Sequence, residues 1–262
     1  MTTISPRSDT TLLPLLGYGI SALILLPILA VCVAAAMGDL STLTHLWQTV
    51  LPGYVGTTAL LLALVTGATG LIGTGTAWLV TCCSFPGRRW LEVALVLPLA
   101  FPAYVVAYAY TDLLDHPGAV QALLRQITGW GPRDYWFPEI RSTGGAATML
   151  TLVLYPYVYL LARAGFMGQG ARPFNIARTL GTTPWQAFLR VALPIARPSI
   201  AAGMLLVAME TIADYGTVSY FGVQSLANGI YQSWFSLADR AAAAQLALGL
   251  LAIALLLALL ER

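Results

Sequence analysis

The sequence predicts an all-α membrane protein with about six transmembrane helices, and three observations predict it. Charged residues make up 9% of the 262 residues, against roughly 25% in ordinary soluble domains. Hydrophobic residues make up 58%, and the mean hydropathy is +0.77. Six separate stretches are apolar over the roughly 20 residues that a helix needs to cross a bilayer. A soluble fold of this length cannot cover its surface with so few charges. A chain solvated by lipid can, because its apolar side chains may turn outward.

The six expected spans lie near 16–36, 55–81, 91–113, 146–166, 199–221 and 241–260. The first sits in an apolar run from Leu12 to Met37, too long for a signal-peptide core and interrupted by Pro14, Gly17, Gly19 and Pro27. The second carries Gly67, Gly70, Gly73 and Gly75 among Thr66, Thr69, Thr74 and Thr76. Small residues let helix backbones approach closely in lipid. Gly73-Thr74-Gly75 is no nucleotide loop, because it lies inside a span and no Gly-Lys-Ser/Thr follows anywhere. If ATP drives this protein, another subunit binds it.

The third span ends at Asp112, Asp115 and His116. These are hard oxygen and imidazole donors, but a helix end in water carries such residues too, and no metal site is assigned. The loop 114–145 follows, with an amphipathic piece at Val120–Ile127 and then Trp130, Tyr135, Trp136 and Phe137. Aromatic residues favour the headgroup level, so this loop is expected on the membrane surface or against an external partner. In the fourth span, Tyr155, Tyr157 and Tyr159 flank Pro156, which is expected to kink the helix. Tyr155 is a candidate for the translocation path, although alternate positions on a helix do not share one face. In the fifth, Glu210 and Asp214 stand four residues apart and are expected on one helix face. Ionisable groups at membrane depth face a pathway or a partner; both are candidates for the path, and bonding to neighbouring helices is the competing reading.

Arginine placement orients the chain. All thirteen basic residues are arginine. Arg7, Arg88, Arg89, Arg172, Arg178, Arg190, Arg197 and Arg262 fall on one side, with Arg163 at its border. Arg125, Arg133, Arg141 and Arg240 fall on the other, among several acids. The richer side is expected to be cytoplasmic, which puts both termini inside. The net charge of +2 and the lack of a basic block give no sign of nucleic-acid binding. Cys32, Cys82 and Cys83 have no zinc-type spacing and are expected to be packing residues. No His-Glu-x-x-His and no nucleophile elbow occur, so a membrane-embedded enzyme is not expected. A secondary transporter, with Glu210 and Asp214 carrying protons, is the other alternative.

The segment 174–198, FNIARTLGTTPWQAFLRVALPIARP, lies on the arginine-rich side. Phe174 to Leu180 can form a short helix, ended by a left-handed Gly181. Thr182 or Thr183 can cap a second helix with Pro184 in its first turn. That helix, about 184–190, is expected to expose Trp185, Phe188 and Leu189 beside Arg190.

Here the sequence resembles the binding-protein-dependent ABC importer permeases. Their loop reads Glu-Ala-Ala, three residues, Gly, about nine residues, then an aliphatic residue, any residue and Leu-Pro. Asn175, Ile176, Ala177, Gly181, Val191, Leu193 and Pro194 stand at the matching positions, with Asn175 and Ile176 departing from the pattern. The stretches 97–114, 134–142, 152–166, 209–223, 229–235 and 239–247 are similar to the ferric-iron importer permeases.

The resemblance implies a type I importer permease fold, with 1–262 as a single transmembrane domain, about 55–260 as the core shared with the six-helix family, and 174–198 as a coupling loop docking into an ATPase. Asn175, Ala177, Gly181, Trp185, Phe188, Leu193 and Pro194 would make that contact. The implied partners are a dimer of ATPase subunits, a periplasmic iron-binding protein, a second permease half or copy, and membrane lipid. The implied cargo is ferric iron, with thiamine or phosphonate as alternatives, and no resident cofactor is implied. Iron permeases of this type carry two six-span halves, and this chain is expected to be one of them.

Overall fold

The computed structural model describes residues 12–38, 40–168, 179 and 181–260, and among these the only regular structure is helical. In chain order the helices are α1 Leu12–Ala36, α2 Leu40–Thr49, α3 Leu51–Cys82, α4 Arg88–Ala94, α5 Ala103–Leu114, α6 Ala119–Thr128 and α7 Thr143–Gly168. They continue with α8 Pro184–Ala213, α9 Gly216–Tyr220, α10 Leu226–Phe235 and α11 Arg240–Leu260. Five of these, α1, α3, α7, α8 and α11, are long and apolar enough to cross a membrane.

The expected third span is not one straight helix. Residues 88–100 and 103–128 form two segments bent by 97°. Prolines cause the break. Pro98 opens a short 3₁₀ turn at Leu97–Ala100, and Pro102 holds the chain at φ −59°, ψ 141° before α5. Neither can donate a backbone hydrogen bond, and Phe101, preceding a proline, is extended at φ −115°, ψ 130°. Pro156 has no such effect: α7 runs on through it.

α7 is the central helix, lying between α3 and α8. Val158 and Tyr159 are wholly buried, and Met149 and Leu150 nearly so. Glycines permit this close approach. A Cβ on Gly73 of α3 would stand 2.7 Å from the Val158 Cβ and 2.8 Å from the Tyr159 nitrogen. A Cβ on Gly203 of α8 would stand 2.8 Å from the Val158 Cα. One residue of α7 therefore meets a bare backbone on each side, which is the use of small residues in lipid.

A second cluster joins α2, α3, α10 and α11 through Leu46, Leu51, Leu226, Ala242 and Leu246. Its polar seams are closed, with the Thr58 hydroxyl accepting from the Leu226 N–H at 3.0 Å and the Tyr54 hydroxyl donating to Gln232 at 3.2 Å. α1 packs along α11 and otherwise presents apolar side chains outward, as a helix facing lipid does. Cys32 is exposed on it, so the expected packing role does not hold there; Cys82 and Cys83 are half-buried, and all three thiols are free.

Candidate coupling surface and transport face

α8 starts with a well-formed cap. The Thr183 hydroxyl accepts from the Gln186 N–H at 3.2 Å, and the Gln186 side chain accepts from the Thr183 N–H at 3.2 Å. This reciprocal box, with Pro184 in the first turn, fixes where the helix begins. Just before it, Gly181 sits at φ +89°, a backbone that other residues enter only with strain. Asn175, Ile176 and Ala177 lie outside the described residues.

The helix does not end before the membrane. It passes through a π turn at Phe188–Ala192, where the Leu193 N–H donates to the Phe188 carbonyl, and continues unbroken to Ala213. Pro194 accounts for the widening. It cannot donate to the Arg190 carbonyl, and its ring crowds that group, so the helix opens by one residue. Movement applied at Trp185 is thereby passed to a spanning helix without an intervening hinge loop.

The expectation that this helix exposes Trp185, Phe188 and Leu189 needs one correction. Phe188 is buried, with its ring 4.7 Å from Trp78 of α3 and 6.3 Å from Phe166 of α7. Trp185 and Leu189 do remain exposed, at 57% and 43%. Phe188 anchors the helix to its own spans; Trp185 leans edge-on against Trp78 at 5.9 Å, and the outer part of the exposed pair is what a partner can touch. An aromatic residue on a short capped helix outside the core is the usual form of an anchor for a partner pocket.

The second candidate face lies around the end of α8. Glu210 is exposed there, and Asp214 caps the C-terminus of α8, its N–H still donating to the Glu210 carbonyl at 2.9 Å, while its ψ of 118° turns the chain out of the helix. The Asp214 carboxylate accepts from the N–H groups of Thr217 and Val218, both at 3.1 Å, and from the Thr217 hydroxyl at 3.0 Å. It caps α9 and favours the helix N-terminus electrostatically. Tyr155 is also corrected, being buried in the core, since α7 is enclosed by its neighbours. Exposed tyrosines gather instead around α9: Tyr108 of α5 lies with its ring centroid 3.9 Å from that of Tyr220, and Tyr231 of α10 is stacked on Tyr215 with centroids 4.3 Å apart.

We expect Asp214→Ala to lower stability by about 1–2 kcal/mol, the usual cost of losing a cap. Glu210→Gln should leave stability unchanged. Thermal melts of the detergent-solubilised variants check both.

Close to the same end, Asp115 accepts from the His116 N–H and pairs at 3.4 Å with Arg141, whose guanidinium lies 5.4 Å from the Tyr220 ring of α9. Among the described residues no group of three His, Cys, Asp or Glu side chains is arranged to hold a metal ion. α6 buries Gln121, which donates to the Leu114 carbonyl and accepts from the Tyr135 hydroxyl, while Leu123 and Ile127 are exposed. An apolar face turned outward, with Trp130 and Trp136 beside it, fits a helix lying at the membrane surface.

Residues 71–262 match the family model described as "Binding-protein-dependent transport system inner membrane component". The chain belongs to this family. Within it, the molybdenum transport system permease protein ModB of Escherichia coli K12 is 28% identical over 55% of this chain and 60% of its own length. The Fe(3+)-transport system permease protein FbpB 2 of Haemophilus influenzae is 26% identical over 96% of this chain and 46% of its own length. The sulfate transport system permease protein CysT of Escherichia coli K12 is 27% identical over 58% of this chain and 52% of its own length. The chain spans about half the length of the curated relatives it matches. A chain in the crystal structure of a bacterial alginate ABC transporter, complexed with an alginate-bound periplasmic protein, shares the fold with a TM-score of 0.76. That match covers 94% of this chain and 90% of the other, at 18% identity. The chain is thus a multi-pass inner-membrane permease of the binding-protein-dependent family.

In this permease, one residue escaped the sequence reading. Glu92 of α4 accepts from Arg88 at 3.2 Å and from Arg163 of α7 at 3.0 Å. Its backbone carbonyl also accepts from the buried Tyr159 hydroxyl at 3.3 Å. Glu92 ties the short helix beside the coupling surface to the central span. The signal available in sequence was Arg163 at a span border, which wants an acid; which acid supplies it depends on how α4 folds back. Glu92→Gln should cost about 1 kcal/mol, since the pair is only half-buried. In a double-mutant cycle with Arg163→Gln the losses should not add; additive losses in the melts would refute the tie.

Proposed function

We propose that this chain is the permease subunit of an ATP-binding-cassette importer, and that it carries ferric iron delivered by a periplasmic binding protein. The observation that supports iron is the reach of the likeness. The ferric-iron relative aligns over 96% of this chain, including the part before residue 71, while the molybdenum and sulfate relatives align over 55% and 58%. A molybdenum or sulfate cargo is the second reading, because those relatives are as similar in identity where they do align.

The mechanism follows from α8. ATP binds and is hydrolysed in a separate pair of ATPase subunits, and the segment 174–198 docks on one of them through Trp185 and Leu189. Closure of the ATPases moves the capped start of α8. Because the helix is continuous to Ala213, and Phe188 is packed on Trp78 and Phe166, the same displacement reaches α3 and α7. The spans then alternate between inward and outward openings. Glu210 and the tyrosines around the two helix breaks face the path shared with a second permease half. No covalent chemistry takes place in this chain. The arginine-rich side is the cytoplasmic one in this reading, with both ends of the chain on it.

The test is co-purification of the chain and its second permease half with an ATPase in nanodiscs, assaying ATP hydrolysis with and without an iron-loaded binding protein. A stable complex stimulated by that protein supports the importer and its cargo together. Stimulation by a molybdate- or sulfate-loaded protein instead would keep the importer and replace the cargo. Failure to form any complex would remove the coupling reading and favour an ion-coupled transporter.

A further inference from the structure

Between α3 and the first half of α8 lies an apolar cavity of about 580 Å³, lined among others by Gly67, Gly70, Gly75, Trp78 and Met204. Both walls are membrane-spanning helices, so the medium at its mouth is lipid. Two of the glycines lay a bare floor: a Cβ on Gly67 or Gly75 would meet nothing within 4 Å. Trp185, and Phe188 at the start of the π turn, line the cavity toward the beginning of α8. It is therefore shaped for a hydrocarbon chain.

Two polar features mark one side of it. Leu193 and Met204 line the cavity, and Arg197 stands four residues after the first and seven before the second, on the same helix face. Arg197 is exposed, and no salt bridge among the described residues involves it, whereas Arg88, Arg141 and Arg163 each have a carboxylate. A basic residue where a span enters the membrane attracts an anionic lipid headgroup. In addition, the Trp78 indole N–H is buried and lacks an acceptor. An ester carbonyl supplies one.

We propose that this cavity binds an anionic phospholipid, with one acyl chain against Gly67, Gly75 and Met204 and the phosphate beside Arg197. The lipid fills the space under the π turn, so it stiffens the root of the helix that begins at Pro184. The site needs neither a cargo nor an ATPase, and stands whether or not the importer reading does.

Native mass spectrometry of the full chain, extracted in mild detergent and offered phosphatidylglycerol or phosphatidylcholine, tests it. Phosphatidylglycerol should be retained in preference to phosphatidylcholine. Arg197→Gln should weaken that retention about fivefold, the effect of one basic residue on an anionic lipid, and Arg197→Lys should restore it. Gly75→Leu should abolish it, because a Cβ there meets no protein atom within 4 Å and the longer side chain occupies the cavity that Gly75 lines. Equal retention of the two lipids, or unchanged retention in both Arg197→Gln and Gly75→Leu, overturns the proposal. So does efficient cross-linking of Gly75→Cys to a second permease half, which would make the cavity a protein interface.

Discussion

Gly73→Val is expected to lose most of the folded protein. The new Cβ would be forced to within 3 Å of the Val158 side chain and of backbone atoms at Tyr159 and Tyr155. Backbone cannot step aside as a flexible side chain can, so α3 must separate from α7. Overpacking of this kind costs about 3 kcal/mol, a large part of the stability of a marginally stable fold. Gly203→Val should behave alike, since it meets the same residue from α8. The two together should be no worse than a fully disrupted α7 interface. Gly249→Ala is the control. Nothing stands within 4 Å of that position, so the substitution should be neutral or stabilising by up to about 1 kcal/mol. Monodispersity and melting in detergent separate these cases. A Gly73→Val protein as stable as wild type would refute the packing of the central helix.

Trp185→Ala is expected to weaken ATPase docking by about thirtyfold, the scale of a tryptophan anchor at an interface. Membrane insertion should not change, because Trp185 is 57% exposed and meets Trp78 only edge-on at 5.9 Å, while the buried Phe188 keeps the helix on its own spans. Gly181→Val should have the same effect by another route. A β-branched residue at φ +89° is strained by roughly 1–2 kcal/mol, which the loop relieves by re-aiming the capped helix. Co-purification of the ATPase with each variant is the measurement. Wild-type recovery with both variants would sink the coupling reading, while loss with Phe188→Ala alone would point to a disturbed core.

Much of this molecule was legible in its sequence because lipid imposes simple rules. Span positions follow from hydrophobic length, and four of the six expected spans coincide with unbroken helices. The cap at Thr183 and Pro184 and the left-handed Gly181 were legible because capping is a local affair of a few residues. The broken helices were not. Phe101-Pro102 and Asp214-Tyr215 sit in apolar runs that satisfy a hydropathy window whether or not the helix continues. For the same reason, helices α2 and α10, too short to span, were passed over.

The site residues divide along the same line. Spacing put Asp214 one turn beyond Glu210, but could not say that α8 ends there and that the Asp214 carboxylate starts the next helix. Phe188 and Trp185 are three residues apart on an aromatic-rich helix, and nothing local says which is covered. By itself the sequence determined the class of solvent, the place of the unbroken apolar crossings and the capped start of α8, because these depend on composition and on nearest neighbours. Only the tertiary structure decided which glycines touch, which aromatic residue is buried and which acid answers Arg163. Those are contacts between helices far apart in the chain, and their partners are fixed by packing geometry.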